Sequence, residues 1–214
     1  MAPFLTIKQN GRAELEIKKS RFICAMAKIT DEAEAKTFIA SVKDQNPKAN
    51  HNCYAYMLGD DDHIQRESDD GEPSGTAGVP ILNVLQQEQL HNVVAVTTRY
   101  FGGIKLGAGG LIRAYSNATS NAIREIGLVA RVKQTEILIE VDYALYDKLA
   151  HFISTETINA QEPEFGATVK LRIFVNSDQI TSTTTALTNL LAGKLIITVG
   201  EDRFQEVPYT KQKD

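Results

Sequence analysis

Apolar and polar positions along the chain fall into short runs of two periods, separated by turn residues. Residues 13–18 alternate and predict a strand; Lys18-Lys19-Ser20-Arg21 interrupts it. A second strand follows over 22–29, with Phe22, Cys24 and Met26 on one face. Asp31 opens a helix, with Glu34 at capping-box spacing and Ala35, Phe38, Ile39 and Val42 inward; Asn46-Pro47 ends it. Residues 52–58 and 64–68 predict two strands about the acidic turn Gly59-Asp60-Asp61-Asp62. A helix over 79–90 places Ile81, Leu82 and Leu85 inward. The β-branched run 92–98 has no polar alternation, which predicts a strand buried on both faces. Leu111, Ile112, Tyr115, Ala118, Ala122 and Ile126 recur at helical spacing, and Gly127 closes that helix.

After a connection over 129–134 the pattern restarts. Strands over 136–141, 158–165, 169–175 and 195–199 interleave with helices over 143–154 and 178–191. The order β-α-β-β-α-β is ferredoxin-like. The expected organisation is therefore a domain over 1–131, a ferredoxin-like domain over 135–205 and a tail over 206–214.

Composition adds few constraints. Net charge is −4, which argues against nonspecific coating of nucleic acid but leaves room for a local basic groove. Cys24 and Cys53 sit in apolar strands without C-x-x-C spacing, as reduced buried thiols do. His63, His91 and His151 lie in unrelated contexts, so zinc-ligand spacing is lacking. The sequence has neither a membrane-length apolar run nor a signal-peptide pattern, and the expected setting is cytoplasmic, without a membrane.

The chemistry is concentrated in two glycine-rich runs, Asp69–Pro80 and Arg99–Tyr115, which hold eight of the 14 glycines. Each precedes a helix. Ser74 and Thr76 read as hydroxyls at a helix entry. Gly107, Gly109 and Gly110 precede the second helix, whose free N–H groups suit phosphate or carboxylate. Gly102 and Gly103 shape the same loop. Arg99, Lys105 and Arg113 bracket it with charge-assisted donors. Asp69, Asp70 and Glu72 can hold those cations in place, or hold a hydrated Mg²⁺. Lys18, Lys19 and Arg21 are either a solvated hairpin edge or part of a phosphate-binding surface. His51, at a strand start, is structural or contacts a ligand. Tyr100 and Phe101 are core, or a stacking platform for single-stranded nucleic acid. Neither the Walker A pattern nor G-x-G-x-x-G is met.

The same runs, with Lys18-Lys19-Ser20-Arg21-Phe22 and His51-Asn52-Cys53-Tyr54-Ala55-Tyr56, resemble the motifs of the YigZ/IMPACT family. The resemblance spans the N-terminal two thirds; the last third is similar only in pattern. It implies an α+β fold, in which a ribosomal-protein-type two-layer β-α domain precedes a ferredoxin-like one, as in the last two domains of elongation factor G. IMPACT-type proteins regulate translation by competing for a scaffold that activates a starvation-responsive kinase. The resemblance thus implies a noncatalytic protein that binds RNA or the ribosome and regulates translation. No cofactor is expected, Mg²⁺ aside, and the sequence carries no DNA-specific signal. Two alternatives stay open: an enzyme on a phosphorylated or nucleotide-like small molecule, using Asp69, Asp70 and Glu72, and a protein-interaction module with a protein partner.

Overall fold

A computed structural model describes residues 4–59 and 61–209. Asp60 of the predicted acidic turn and residues 210–214 of the predicted tail lie outside the described residues. The chain divides into two compact units. One runs to Ala130, with residues from Pro208 onward; the other spans Arg131–Val207.

The first unit contains β1 (Phe4–Ile7), β2 (Gly11–Ile17), β3 (Ser20–Lys28), α1 (Glu32–Gln45), β4 (His51–Leu58), β5 (Ile64–Ser68), α2 (Gly78–Gln87), β6 (Val93–Tyr100) and α3 (Ala108–Ile126). Five of its strands form a sheet in the order β2-β3-β6-β4-β5. β6 is central and buried along Val93–Arg99, as the absence of alternation predicts. Its Val93 and Ala95 face α2 and α3, whereas Val94 and Val96 face α1. The unit thus has helices on both faces of the sheet, one layer more than the two expected; the mixed α/β, two-unit organisation is as expected.

Local chemistry fixes the helix ends. The Asp31 carboxylate accepts from the Glu34 N–H at 2.8 Å, and the Glu34 carboxylate accepts from the Thr30 N–H at 2.7 Å. α3 buries Leu111, Ala114, Tyr115, Ala118 and Ala122. Ile112, expected inward, is 42% exposed, because one residue of helix turns the side chain about 100° away from Leu111. β1 is tied in by the Lys8 N–H, which donates to the Gly127 carbonyl at 2.9 Å, and by the His91 N–H, which donates to the Leu5 carbonyl at 2.9 Å.

The topology sets where the loops gather. β4 is antiparallel to both β5 and β6, so β5 and β6 run in the same direction. The loops that follow them, 69–77 and 101–107, therefore leave from the same end of the sheet. β3 and β4 begin at that end, since Arg21 pairs with Tyr100 and His51 with Arg99.

The second unit is ferredoxin-like. β7 (Leu128–Val141) leads into α4 (Tyr143–Thr155), β8 (Asn159–Ala160), β9 (Glu164–Phe165), β10 (Val169–Val175), a 3-10 turn (Ser177–Gln179), α5 (Ile180–Leu190) and β11 (Ile196–Tyr209). The strand order β11-β7-β10-β8 is that of the βαββαβ motif. Ile137, Ile139, Val141, Leu171 and Ile173 pack with Leu149 and Leu187 from the two helices.

Three expectations change here. Residues 129–134, expected as a connection, belong to β7; pairing with β11 makes them strand although Arg131 and Lys133 break the apolar pattern. The expected strand 158–165 is split into β8 and β9 around Pro163, which lacks a ladder N–H. β11 continues past Val199 to Tyr209, so positions 206–209, expected as tail, are strand. Most of its side chains are exposed, so burial leaves no period to read.

Leu149 is fully buried between α4 and the sheet. Leu149→Ala is expected to cost about 2–5 kcal/mol in urea unfolding, through lost transfer energy and a residual cavity.

Candidate nucleic-acid interface

The loop after β5 is organised by a carboxylate rather than by hydroxyls. Asp69 accepts from the backbone N–H groups of Gly75 at 2.7 Å and of Ala77 and Gly78 at 2.9 Å. It therefore satisfies the start of α2 from eight residues upstream. Ser74 and Thr76 do not cap this helix as expected: Ser74 is exposed, and the Thr76 hydroxyl donates to the Pro73 carbonyl at 2.6 Å. Partial burial pushes the Asp69 carboxyl up, but those N–H groups outweigh it and leave it below its ordinary value.

The other two carboxylates are also committed within the protein. Asp70 accepts from the Asn52 N–H at 2.6 Å and from Lys43 Nζ at 2.7 Å. Glu72, 8% exposed, accepts from Arg99 at 2.6 Å and from the Tyr115 hydroxyl at 2.8 Å. His51 Nδ1 lies 2.9 Å from the Asp70 carbonyl, and its Nε2 lies 3.8 Å from Glu72. No cluster of three or more His, Cys, Asp or Glu positioned for a metal occurs among the described residues.

Arg99 is itself buried. Its guanidinium lies 5.4 Å from the Phe22 ring centroid and 5.5 Å from that of Phe101. It is thus a support beneath the surface and not, as expected, one of the cations around the loop. The Cys53 thiol lies 2.9 Å from the Asp69 carbonyl and 3.3 Å from the Tyr115 hydroxyl. Burial pushes Cys53 up to about 12 and Cys24 up to about 11, so both stay protonated thiols at neutral pH.

The loop after β6 builds the exposed part. Lys18 and Lys19 form the two-residue turn between β2 and β3, both at positive φ (47° and 65°). A type I′ turn requires this of both positions, and Asn-Gly usually supplies it. Gly102 packs on that turn: a Cβ there would lie 2.0 Å from the Lys19 carbonyl oxygen. The Gly102 N–H donates to Ser20 Oγ at 3.2 Å. The lysine turn is thereby held against the loop that carries Gly103 and Lys105. Arg21 is engaged differently, by both oxygens of Glu14 (2.7 and 2.9 Å).

α3 begins at Ala108 with Gly107 as its N-cap at φ 70°. Gly109 and Gly110 therefore lie inside its first turn, not before it as expected. The helix has neither a side-chain cap nor an acidic residue in its first turn. Lys105 and Arg113 flank this start and are exposed. Phe101 (45% exposed) and Ile104 (41%) add apolar surface beside them.

Sequence reasoning missed the roles of Ser20, Asn52 and Tyr115. Ser20 and Asn52 lie within the quoted motifs but have no distinctive spacing, and Tyr115 reads simply as a core residue of α3. In the second unit, several charged groups of the sheet pair with one another: Glu136 with Arg203 at 3.0 Å, and Lys133 with Asp202 at 2.9 Å.

A sheet end that presents two glycine-rich loops, joined to a ferredoxin-like unit, defines a two-domain class. Residues 18–123 match the Impact N-terminal domain, and residues 139–194 match a domain of unknown function, DUF1949. The chain is 41% identical to the IMPACT family member YvyE of Bacillus subtilis over 95% of its own length and 94% of the relative's. It is 34% identical to the IMPACT family member YigZ of Escherichia coli, over 84% of this chain and 89% of that one. A crystal structure of a hypothetical protein aligns with a TM-score of 0.59 at 31% identity, covering 94% of this chain and 98% of that one. The chain belongs to the IMPACT family.

Two measurements probe the site's framework. Glu72→Ala leaves Arg99 buried without its counter-charge, and an expected loss of about 3–5 kcal/mol would be read from the urea midpoint. Asp69 has a lowered folded value, so its stabilisation is complete above the unfolded value of about 3.9 and is lost as pH falls through the folded one. Asp69→Asn is therefore expected to be less stable at neutral pH and to lose stability less steeply in an acid titration followed by circular dichroism.

Proposed function

We propose that the loop end of the first unit binds RNA, free or within the ribosome, and that this noncatalytic protein acts on translation in the cytoplasm. The observation that carries the reading is the Lys18-Lys19 turn. Two lysines occupy left-handed backbone positions, exposed and without an ion-pair partner among the described residues. The two-residue turn requires such positions, but a residue with a side chain costs of order 1 kcal/mol at each, so it is the choice of lysine over Asn-Gly for which folding gives no reason. Lys105 and Arg113 are likewise exposed and unpaired among the described residues.

Four free cations, an uncapped helix start and an exposed phenylalanine suit a phosphate backbone with adjacent bases. The carboxylates that an enzyme would use are instead held by backbone N–H groups, Lys43, Arg99 and Tyr115, which supports binding over catalysis. Among the described residues, no helix is long and apolar enough to cross a membrane. The family resemblance supports the link to translation.

Co-sedimentation with ribosomes, and binding of single-stranded RNA over a salt series, test this. Four phosphate contacts give an expected log–log salt slope of about −3 for a single strand. The variant Lys18→Asn/Lys19→Gly should raise unfolding stability by about 1 kcal/mol, by restoring a favoured type I′ turn. It should also weaken RNA binding about ten-fold and reduce the slope by roughly 1.4. Unchanged affinity in that variant, or no association at low salt, would sink the reading.

A further inference from the structure

A separate feature lies in the second unit. Tyr143 and Phe165 are 54% and 61% exposed, and they stack with centroids 6.2 Å apart at 24°. Tyr146 meets Phe165 edge-on at 5.6 Å and 77°. The Tyr143 hydroxyl donates to the Gly166 carbonyl at 2.8 Å, so the start of α4 is fastened to the turn after β9. Two of the rings lie largely outside the core, and the third only edges it. Their arrangement is fixed before anything binds, which lowers the entropic cost of using them.

The unpaired charged groups nearest the rings in sequence carry one dominant sign. Asp142 immediately precedes Tyr143, Asp147 lies one turn on along α4, and Glu162 precedes Phe165 by three residues. All three are exposed and have no partner among the described residues. Glu164 is bound to Arg172, and Lys170 lies 3.9 Å from Glu140. Lys148, five positions after Tyr143, falls on a different stripe of the helix. A purely apolar partner would strip water from three unpaired carboxylates, and a nucleic-acid strand would be repelled by them. A cation gains from both features, from the ring faces and from the carboxylates.

We propose that Tyr143, Tyr146 and Phe165, with Asp142, Asp147 and Glu162, form a docking surface for an arginine- or lysine-bearing segment of a protein partner. The aliphatic stem of such a side chain lies along the rings, and its charged head reaches the carboxylates. This surface is independent of the RNA-binding reading of the first unit.

The test uses the full chain and three labelled ten-residue peptides in which glycine alternates with arginine, serine or glutamate. Fluorescence anisotropy at low salt should show binding of the arginine peptide only. Phe165→Leu keeps an apolar side chain at an exposed site and should weaken that binding about five-fold. Asp147→Asn/Glu162→Gln should weaken it similarly, whereas Lys105→Ala/Arg113→Ala should leave it unchanged. In aromatic NMR spectra of the unaltered protein, the arginine peptide should shift the Tyr143, Tyr146 and Phe165 ring signals. The proposal is overturned if the arginine peptide does not bind, if Phe165→Leu binds it equally well, or if these ring signals stay fixed. Equal binding of the serine peptide, or loss of single-stranded RNA binding in Phe165→Leu, would overturn it as well.

Discussion

The buried pair between Arg99 and Glu72 joins parts of the first unit that are remote in sequence. Arg99 is at the end of β6, Glu72 in the loop after β5, Tyr115 on α3 and Ser20 at the start of β3. Arg99 bonds Glu72 at 2.6 Å and Glu72 accepts from Tyr115 at 2.8 Å, both within a nearly closed interior. A charge so far from water depends on its partner, and Glu72 is what compensates Arg99, whose buried Nε has no hydrogen-bond partner among the described residues. Each of these segments is therefore fixed by the others, and the loops they anchor inherit that rigidity.

This arrangement separates support from surface. The carboxylates and Arg99 lie beneath, where they hold backbone and one another. The free lysines, Arg113 and the open glycines lie above them, where a ligand can reach them. A strand-turn conformation unfavourable to lysine is tolerated because Gly102 and Ser20 clamp it from the side. The second unit reverses the pattern. Several of its sheet charges are paired, and exposed aromatic rings stand with unpaired carboxylates around α4 and β9.

Most of the fold was legible in the chain. The central strand β6 declared itself by unbroken β-branched residues, α1 by its capping box, and the ferredoxin-like order by the restart of periodicity after residue 135. The candidate site was legible as a pair of loops but not as a set of side-chain contacts. Glycine density located both loops correctly, since the close packing of Gly102 on Lys19 requires the absence of a Cβ. It could not show that Arg99 points inward, because burial of a charge depends on a partner supplied from a different loop. Nor could it show that Gly109 and Gly110 lie inside α3, since helix continuation there is set by the packing of Leu111 and Tyr115.

Sequence by itself determined the elements whose signal is local: hydrophobic period, caps, breakers and the family motifs. Tertiary structure decided what depends on neighbours across the chain. Residues 129–134 and 200–209 became strand through pairing with each other's strand, without an apolar pattern to announce it. Asp69, rather than Ser74 or Thr76, took the start of α2, because a carboxylate folded back by a loop competes better than a hydroxyl for several N–H groups at once. Of the basic residues in the motifs, only the set left unpaired by the fold remains available to a partner, and charge pairing is a property of distance, which sequence order does not encode.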